Sequence, residues 1–290
     1  MKVYIIGVSG MLGSCLFLNF ANNNSFNIRG SIRGKKNNYF SKFNRNIDLN
    51  TNILNINILK KKILIFKPDY VINCAGWIKQ KKTENKNAIY LNSVFPHKLN
   101  SFLEKNKIRF IHFSTDCVFN GKKGNYKLID KPNAKDLYGK SKYNGEVISE
   151  NCLTIRTSII GNELKSSTGF LEWFLAKRIL CFGYCNAFFT GLTTYEVYKF
   201  LLVVFKSKKK LNGLYHLSSK KISKYNLLKK IKKIYKKKID IKKEYSVKID
   251  RSLSNTTSLR KLKFVASGWN KMINEMKNNR KSINKDIKIK

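Results

Sequence analysis

The 290-residue sequence predicts an α/β protein with a Rossmann-type, doubly wound parallel sheet and a smaller, interleaved C-terminal α/β domain. Apolar, strand-like runs alternate with helix-like stretches through the first half of the chain, a pattern typical of parallel sheets. A glycine-rich turn follows the first run, and Ser114-Thr115-Asp116 follow the fifth. Because such sheets bind ligands outside the carboxyl ends of their strands, these two positions predict a functional site.

The predicted elements alternate along the chain as this fold requires. We predict strands at residues 2–6, 26–32, 53–54, 68–76, 109–113, 152–156 and 213–217. Helices are predicted at residues 11–20, up to 66, 88–105, from 137 onward, 192–205, and through a basic final stretch from residue 220. The dinucleotide-binding domain then covers 1–157, completed by 190–217, and the substrate-binding domain covers 158–189 and 218–290.

The turn after the first strand contains Gly7, Gly10 and Gly13 within seven residues. Glycines at this spacing permit a tight turn, close approach of the backbone to a pyrophosphate, and close packing of the helix on the strand. The amino terminus of the following helix then offers free N–H groups to an anion. The turn therefore predicts a dinucleotide site, and a plain glycine turn is the alternative.

Tyr138 and Lys142 are the predicted catalytic pair. Asp136 is placed to cap a helix on which their four-residue spacing puts both side chains on one face. A phenol with a pKa near 10 exchanges protons poorly at neutral pH unless a nearby cation favours its ionised form. Two other Tyr-x-x-x-Lys pairs occur, Tyr195/Lys199 and Tyr225/Lys229, but only the first follows a strand that ends in hydroxyl residues.

The charge balance is extreme, with 59 Lys and Arg against 17 Asp and Glu and a formal net charge of +42. Such a field attracts nucleic acid, anionic membranes and anionic substrates. The lysines are spread along the whole chain, which is typical of an A/T-rich genome rather than of a binding patch, so we expect neither nucleic acid nor membrane as a partner.

No apolar run is long enough to span a bilayer, and no leader sequence is recognisable, so a cytoplasmic location is expected.

The six cysteines form no Cys-x-x-Cys pair, and only three histidines accompany them. The sequence therefore predicts free thiols and no metal site.

The second strand ends in Arg33-Gly34-Lys35, where an acidic residue would favour the unphosphorylated cofactor and a basic one accommodates a 2′-phosphate. This favours NADPH, with NADH as the alternative.

The motifs together resemble those of the extended short-chain dehydrogenase/reductases, and most of all the dTDP-4-dehydrorhamnose reductase group. The resemblance is carried by the glycine turn, by Ser-Thr-Asp-x-Val-Phe-x-Gly at 114–121, by Tyr138-Gly-Lys-Ser-Lys142-x-x-Gly-Glu146, and by Arg156-Thr157-Ser158. It implies reduction of the C4 ketone of a nucleotide-linked 4-keto-6-deoxy sugar, for deoxysugar and surface polysaccharide synthesis. Tyr138 would protonate the alkoxide, Thr115 would hydrogen-bond the carbonyl oxygen, and Lys142 would hold the nicotinamide ribose.

The resemblance also implies the binding residues. Gly10, Met11 and Leu12 would line the pyrophosphate, Arg33 the adenosine ribose, Asn52 and Ile53 the adenine, and Gly76, Trp77 and Ile78 the nicotinamide half. Asp116, Ile159 and Arg251 are expected beside the substrate with Thr115, and Arg251 would contact its diphosphate. A homodimer is a further expectation.

Three positions depart from the patterns of related enzymes. Cys117 stands where related dehydratases have Glu, which favours plain reduction because a thiol is a poor substitute for that carboxylate. Ile159 replaces a common Trp, which leaves the sugar open, and Cys15 replaces an acidic magnesium ligand. Two other functions stay open: a reductase or epimerase of another nucleotide sugar, such as a UDP-linked N-acetylated 6-deoxyhexose, and a non-catalytic cofactor-binding subunit.

Overall fold

The structure, a computed structural model, describes residues 1–35, 38–79, 84–164, 167–254, 262 and 264–287. Its strands are β1 Lys2–Ile6, β2 Asn27–Ser31, β3 Ile47–Asp48, β4 Tyr70–Asn73, β5 Arg109–Ser114, β6 Cys152–Arg156, β7 Ile159–Ile160, β8 Leu180–Tyr184, β9 Ala187–Phe189, β10 Leu192–Thr193, β11 Gly213–His216, β12 Ile222–Ser223, β13 Asp240–Glu244 and β14 Ile249–Asp250. Its helices are α1 Met11–Ala21, α2 Ile56–Phe66, α3 Asn85–Ile89, α4 Phe95–Lys105, α5 Leu137–Asn144, α6 Phe170–Ala176, α7 Thr194–Lys206, α8 Lys224–Tyr235 and α9 Trp269–Ile287.

A seven-stranded parallel sheet forms the centre, in the order β11-β6-β5-β4-β1-β2-β3. The chain runs outward from β1 to β3, then returns to the other side of β1 with β4 and continues outward. The strand order therefore reverses between β1 and β4, which is where open α/β sheets leave a crevice for a ligand. The predicted Rossmann-like fold class is confirmed.

Helices cover both faces of the sheet because its central strands are apolar on both sides. Of β1, Val3 and Ile5 pack with α1, α7 and α9, whereas Tyr4 and Ile6 pack with α2 and α4. All four side chains are fully buried. The two cores fix the carboxyl ends of β1, β4 and β5 side by side.

The C-terminal half adds small sheets to one end of the central sheet. β12 and β14 flank β9, β13 pairs with β8, and β10 pairs with β7. An isolated bridge joins Leu253 to Tyr126 in the loop after β5. No helix within the described ranges is long and apolar enough to cross a membrane.

Two predicted elements differ from the structure. The short strand near Ile53 is instead β3, six residues earlier, because Ile47 pairs with Gly30 whereas residues 53–54 form a turn before α2. The basic final stretch is not helical throughout: α8 covers only 224–235, and β13 and β14 follow it, because the apolar spacing beyond residue 236 suits pairing with β8 and β9. Residues 255–261 and 263 of that stretch lie outside the described residues.

Candidate active site at the carboxyl edge of the sheet

The glycine turn between β1 and α1 leaves a helix terminus open. Gly7 has a φ of +82°, a region that other residues rarely adopt. A Cβ on Gly13 would collide with the carbonyl oxygen of Gly7, so the helix packs tightly under the turn. No side chain from the described part of the chain caps α1 at Gly10. The first N–H groups of α1 are therefore available to an anionic ligand.

Asn92 fixes the segment that follows β4. Its side chain accepts a hydrogen bond from the N–H of Trp77 at 2.8 Å and donates one to the carbonyl oxygen of Trp77 at 3.1 Å. It also donates to the hydroxyl of Ser141 on α5 at 3.1 Å. Asn92 is fully buried within a π-helical turn, residues 90–94, between α3 and α4. Asn92 is therefore a positioning residue for Trp77 and α5.

Thr115 turns the chain at the tip of β5. Its hydroxyl accepts a hydrogen bond from the N–H of Cys117 at 3.2 Å and donates one to Asp116 at 3.2 Å. Thr115 and Asp116 are both buried, so this turn is well fixed. The Thr115 hydroxyl is also close enough to Tyr138 to lower the pKa of its phenol.

Helix α5 brings Tyr138 and Lys142 to the same tip. The Asp136 carboxylate accepts from the N–H of Gly139 at 2.9 Å and caps the helix as predicted. The Tyr138 ring lies edge-on to Trp77, with 6.1 Å between ring centroids. The Lys142 ammonium is buried and donates to the carbonyl oxygen of Phe113 on β5 at 2.6 Å.

The other two Tyr-x-x-x-Lys pairs lie elsewhere and have structural contacts. Lys199 on α7 forms ion pairs with Glu196 at 2.7 Å and with Glu275 of α9 at 2.8 Å. The Lys229 ammonium lies 5.6 Å from the ring of Tyr225.

The electrostatics of the site keep Tyr138 protonated. Burial raises the pKa of Tyr138 above its ordinary value, and the neighbouring Cys117 and Asp116 raise it further. The Lys142 ammonium donates to the carbonyl oxygen of Phe113 at the same tip. A protonated phenol of this kind is a proton donor, which suits the neutralisation of an alkoxide.

A buried ion pair supports the site from below. Arg156 of β6 donates to both carboxylate oxygens of Glu146, from Nε and Nη2 at 2.7 Å each. Ser114 at the tip of β5 donates to the same carboxylate at 2.6 Å. This network joins the end of α5 to β5 and β6, and the Glu146 carboxylate acts electrostatically on Lys142. Glu146 and Arg156 both belong to the motifs found in the sequence, but the sequence did not show that they form an ion pair.

The Cys117 thiol lies beside this tip in its neutral form. Burial raises the pKa of Cys117 to about 12, with a further contribution from Asp116, against smaller lowering effects of Arg251, Thr115 and Lys79. The thiol is therefore no equivalent of a carboxylate base. All six cysteines are unpaired, and the described ranges contain no cluster of three His, Cys, Asp or Glu side chains arranged to hold a metal.

The remaining predicted residues follow the carboxyl ends of several strands. Arg33 is exposed after β2, and Asn52 and Ile53 follow β3 in the turn before α2. Ile159 is half-buried in β7. Arg251 reaches the site from the C-terminal half, and its Nε donates to the carbonyl oxygen of Phe119 at 2.8 Å.

Gly145 at the end of α5 provides a test of how tightly the site is packed. A Cβ at this position would overlap the carbonyl oxygen of Asn92, and backbone atoms yield little. We expect Gly145→Ala to lower the free energy of unfolding by about 1–3 kcal/mol, measured by urea denaturation. Gly268→Ala is the matched control, because a Cβ there meets no atom within 4 Å. Equal stabilities of the two variants would contradict the close packing.

Residues 1–180 match the family described as the RmlD substrate binding domain. The chain belongs to this family. The match covers every element of the site from the glycine turn to β7, so the resemblance inferred from the motifs is confirmed.

Two relatives and one solved structure extend the comparison. The chain is 28% identical over 145 residues to the beta subunit of methionine adenosyltransferase 2 of Danio rerio, covering 50% of this chain and 42% of that protein. It is 32% identical over 115 residues to a probable low-salt glycan biosynthesis reductase of Haloferax volcanii, covering 36% of this chain and 38% of that protein. The chain thus spans less than half the length of these curated relatives. The structure of dTDP-4-dehydrorhamnose reductase from Bacillus anthracis in complex with NADP superposes with a TM-score of 0.78 at 20% identity, covering 96% of this chain and 98% of that one.

Proposed function

We propose that this chain is an NAD(P)H-dependent reductase of the C4 ketone of a nucleotide-linked 4-keto-6-deoxy sugar, in deoxysugar and polysaccharide precursor synthesis. The observation that carries the proposal is the convergence of Tyr138, Thr115 and Lys142 beside an uncapped helix terminus at the point where the strand order reverses. Membership of the family supports the same activity. The Bacillus anthracis reductase, which shares the fold, was solved with NADP.

The cradle at the glycine turn fits a dinucleotide. The free N–H groups of α1 suit a pyrophosphate, and Gly13 lets the helix pack closely under the turn that holds them. We assign the pyrophosphate to Gly7, Gly10, Met11, Leu12 and Gly13, the adenosine half to Arg33, Asn52 and Ile53, and the nicotinamide half to Gly76, Trp77, Ile78, Tyr138 and Lys142. Bound in its reduced form, the cofactor supplies a hydride for a carbonyl carbon.

The residues of this chain then bind the ketone and supply the proton. The Thr115 hydroxyl, whose single proton faces Asp116 in the structure, turns that proton to the carbonyl oxygen and orients it. The Tyr138 phenol gives its proton to the same oxygen as negative charge develops there, so that an alcohol forms and a phenolate remains. The Lys142 ammonium stabilises that phenolate, and solvent returns the proton. Cys117 has no carboxylate role, so no elimination of water accompanies the reduction.

The proposal is tested by NADPH oxidation with a panel of dTDP- and UDP-linked 4-keto-6-deoxyhexoses, with NADH in parallel and NMR identification of the product. We expect turnover with at least one keto sugar and a higher kcat/KM with NADPH than with NADH, because Arg33 favours a 2′-phosphate. Absence of turnover across the panel would overturn the assignment.

A second candidate function is that of a cofactor-binding subunit, because one relative is named as the beta subunit of an enzyme. The two functions make different predictions for one pair of measurements. A subunit of this kind binds NADPH with no ketone reduction, whereas a reductase does both. The presence of Tyr138, Lys142 and Thr115 at one tip favours the reductase.

A homodimer is the assembly we propose. The neighbouring helical segments α3, the π-helical turn and α5 expose Ile89, Val94 and Tyr143, which are 43%, 37% and 42% accessible. Light scattering of the purified protein tests this, with a dimeric mass expected and a monomeric mass contradicting it.

The pKa of Lys142 determines the pH above which we expect the activity to fall. Burial lowers the pKa of Lys142 to about 8, against a smaller raising effect of Glu146. The ammonium is present below this pH and lost above it, so we expect kcat/KM for NADPH to fall as the pH rises through about 8. This parameter reports groups of the free enzyme. Lys142→Arg keeps its charge to above pH 12, so its residual activity should lack this limb. If kcat/KM of that variant fell over the same pH range, the group that titrates would not be Lys142.

A further inference from the structure

Lys224, the first residue of α8, holds its ammonium between two aromatic rings. Nζ lies 4.1 Å from the ring centroid of Phe189 and 4.5 Å from that of Phe170. The Ser223 hydroxyl caps the helix by accepting from the N–H of Asn226 at 3.2 Å, so the first turn of α8 is fixed. Cation–π contacts hold a cation in place but leave its N–H donors without acceptors.

The Lys224 ammonium lies within electrostatic range of the tip of β5. It interacts electrostatically with Asp116, Cys117 and Arg251. Asp116 and Cys117 are also neighbours that raise the pKa of Tyr138. Lys224 and Tyr138 therefore approach the same turn, one from the C-terminal half of the chain and the other from α5.

The surrounding residues do not satisfy this ammonium. Among the described residues, Lys224 forms no hydrogen bond and no ion pair within 4.0 Å, and the carboxylate of Asp116 is engaged by Thr115. Burial lowers the pKa of Lys224, against smaller raising effects of Asp116 and Cys117, and Arg251 adds a small lowering effect. Lys224 is half-buried, and the two rings shield its ammonium from part of the solvent without accepting a hydrogen bond. This arrangement favours a ligand that brings oxygen atoms to Lys224.

We propose that Lys224 is a substrate-binding residue that donates a hydrogen bond to the hydroxyl group next to the ketone of the hexose. This inference rests on the proposed function, in which Thr115 and Tyr138 hold the ketone oxygen. Lys224 and Tyr138 have Asp116 and Cys117 as common neighbours. When Tyr138 holds the ketone oxygen, the hydroxyl on the adjacent carbon is therefore the hexose oxygen that we expect nearest to Lys224. Arg251, anchored at Phe119 beyond the tip, takes the diphosphate. A site that hydrogen-bonds a hydroxyl discriminates against substrates that lack it.

Lys224→Met tests this role without opening a gap, since the flexible, unbranched Met side chain packs well against aromatic rings. We expect kcat/KM for the keto sugar to fall about 10- to 100-fold, the loss of one hydrogen bond from a charged donor, with an unchanged Kd for NADPH and an unchanged Tm. Lys229→Met is the matched control, because Lys229 lies on the same helix, is exposed, and contacts only the ring of Tyr225 in the described structure. It should retain wild-type kinetics.

Two further measurements separate the hexose from the diphosphate. A substrate analogue without the hydroxyl next to the ketone should react equally well with the wild type and with Lys224→Met, and inhibition by the free nucleoside diphosphate should be equal in both. The inference is overturned if Lys224→Met keeps wild-type kcat/KM, if the analogue is as sensitive to the substitution as the parent sugar, or if the variant loses affinity for the nucleoside diphosphate. If the wild-type protein reduces no keto sugar, the proposed function itself fails. If the wild type is active but Lys224→Met behaves as the wild type does, only the role of Lys224 fails.

Discussion

Tyr138→Phe should reduce turnover on the keto sugar by a factor on the order of 10²–10⁴, the usual contribution of a positioned proton donor. The substitution removes only the hydroxyl oxygen, so the ring keeps its edge-on contact with Trp77. The affinity for NADPH should remain nearly unchanged, because Lys142 and the glycine turn still hold the cofactor. Steady-state kinetics and fluorescence titration with NADPH measure the two quantities.

Tyr143→Phe is the matched control for this experiment. Tyr143 lies five positions further along α5 and is 42% exposed, away from the tip of β5. It should keep wild-type turnover. If Tyr138→Phe also kept it, the proton would come from another group and the proposed mechanism would be wrong.

Glu146→Gln should lower the free energy of unfolding by about 3–5 kcal/mol, the cost of removing one charge from a buried ion pair. The amide keeps the shape of the carboxylate but leaves the Arg156 guanidinium without a counter-charge, and both side chains are only 3% exposed. Turnover should fall too, since the network positions Ser114 and the end of α5. Urea denaturation followed by circular dichroism measures the stability.

Two other variants show whether the charge itself is responsible. Glu104→Gln, on the exposed side of α4, should be within about 0.5 kcal/mol of the wild type. The double variant Glu146→Leu with Arg156→Met should recover most of the stability lost by Glu146→Gln, because replacing a whole buried pair by apolar residues is often neutral. A double variant less stable than Glu146→Gln would contradict this account of the pair.

The parts of the fold that the sequence predicted are those with a strong local signal. The apolar runs of β1, β4 and β5 and the strand-turn-helix order around the glycine turn are such signals, and Asp136 caps α5 at the predicted residue. The strand assigned near Ile53 was wrong because β3 is only two residues long and, among the described strands, pairs with β2 alone. Such a short strand depends on its partner rather than on its own composition.

The contacts between distant segments could not be predicted. Asn92 was visible as a polar residue in a helix, but its bonds to Trp77 and Ser141 depend on how three segments pack together. Lys224 has no signal at all in a chain with 59 basic residues, and only the rings of Phe170 and Phe189 distinguish it. The pKa of Tyr138 was expected to be lowered by Lys142, whereas burial raises it and the neighbouring Cys117 and Asp116 raise it further.

The central claim is that a hydride reaches the carbon whose oxygen Tyr138 protonates. It is tested most directly by incubating the protein with NADPH deuterated at the transferable position of the nicotinamide and with a nucleotide-linked 4-keto-6-deoxyhexose, followed by NMR of the product. We predict one deuterium at C4 of the sugar, in a single configuration, and none in the product of the Tyr138→Phe variant within the same time. Deuterium retained in the cofactor, or found at another carbon, would contradict it.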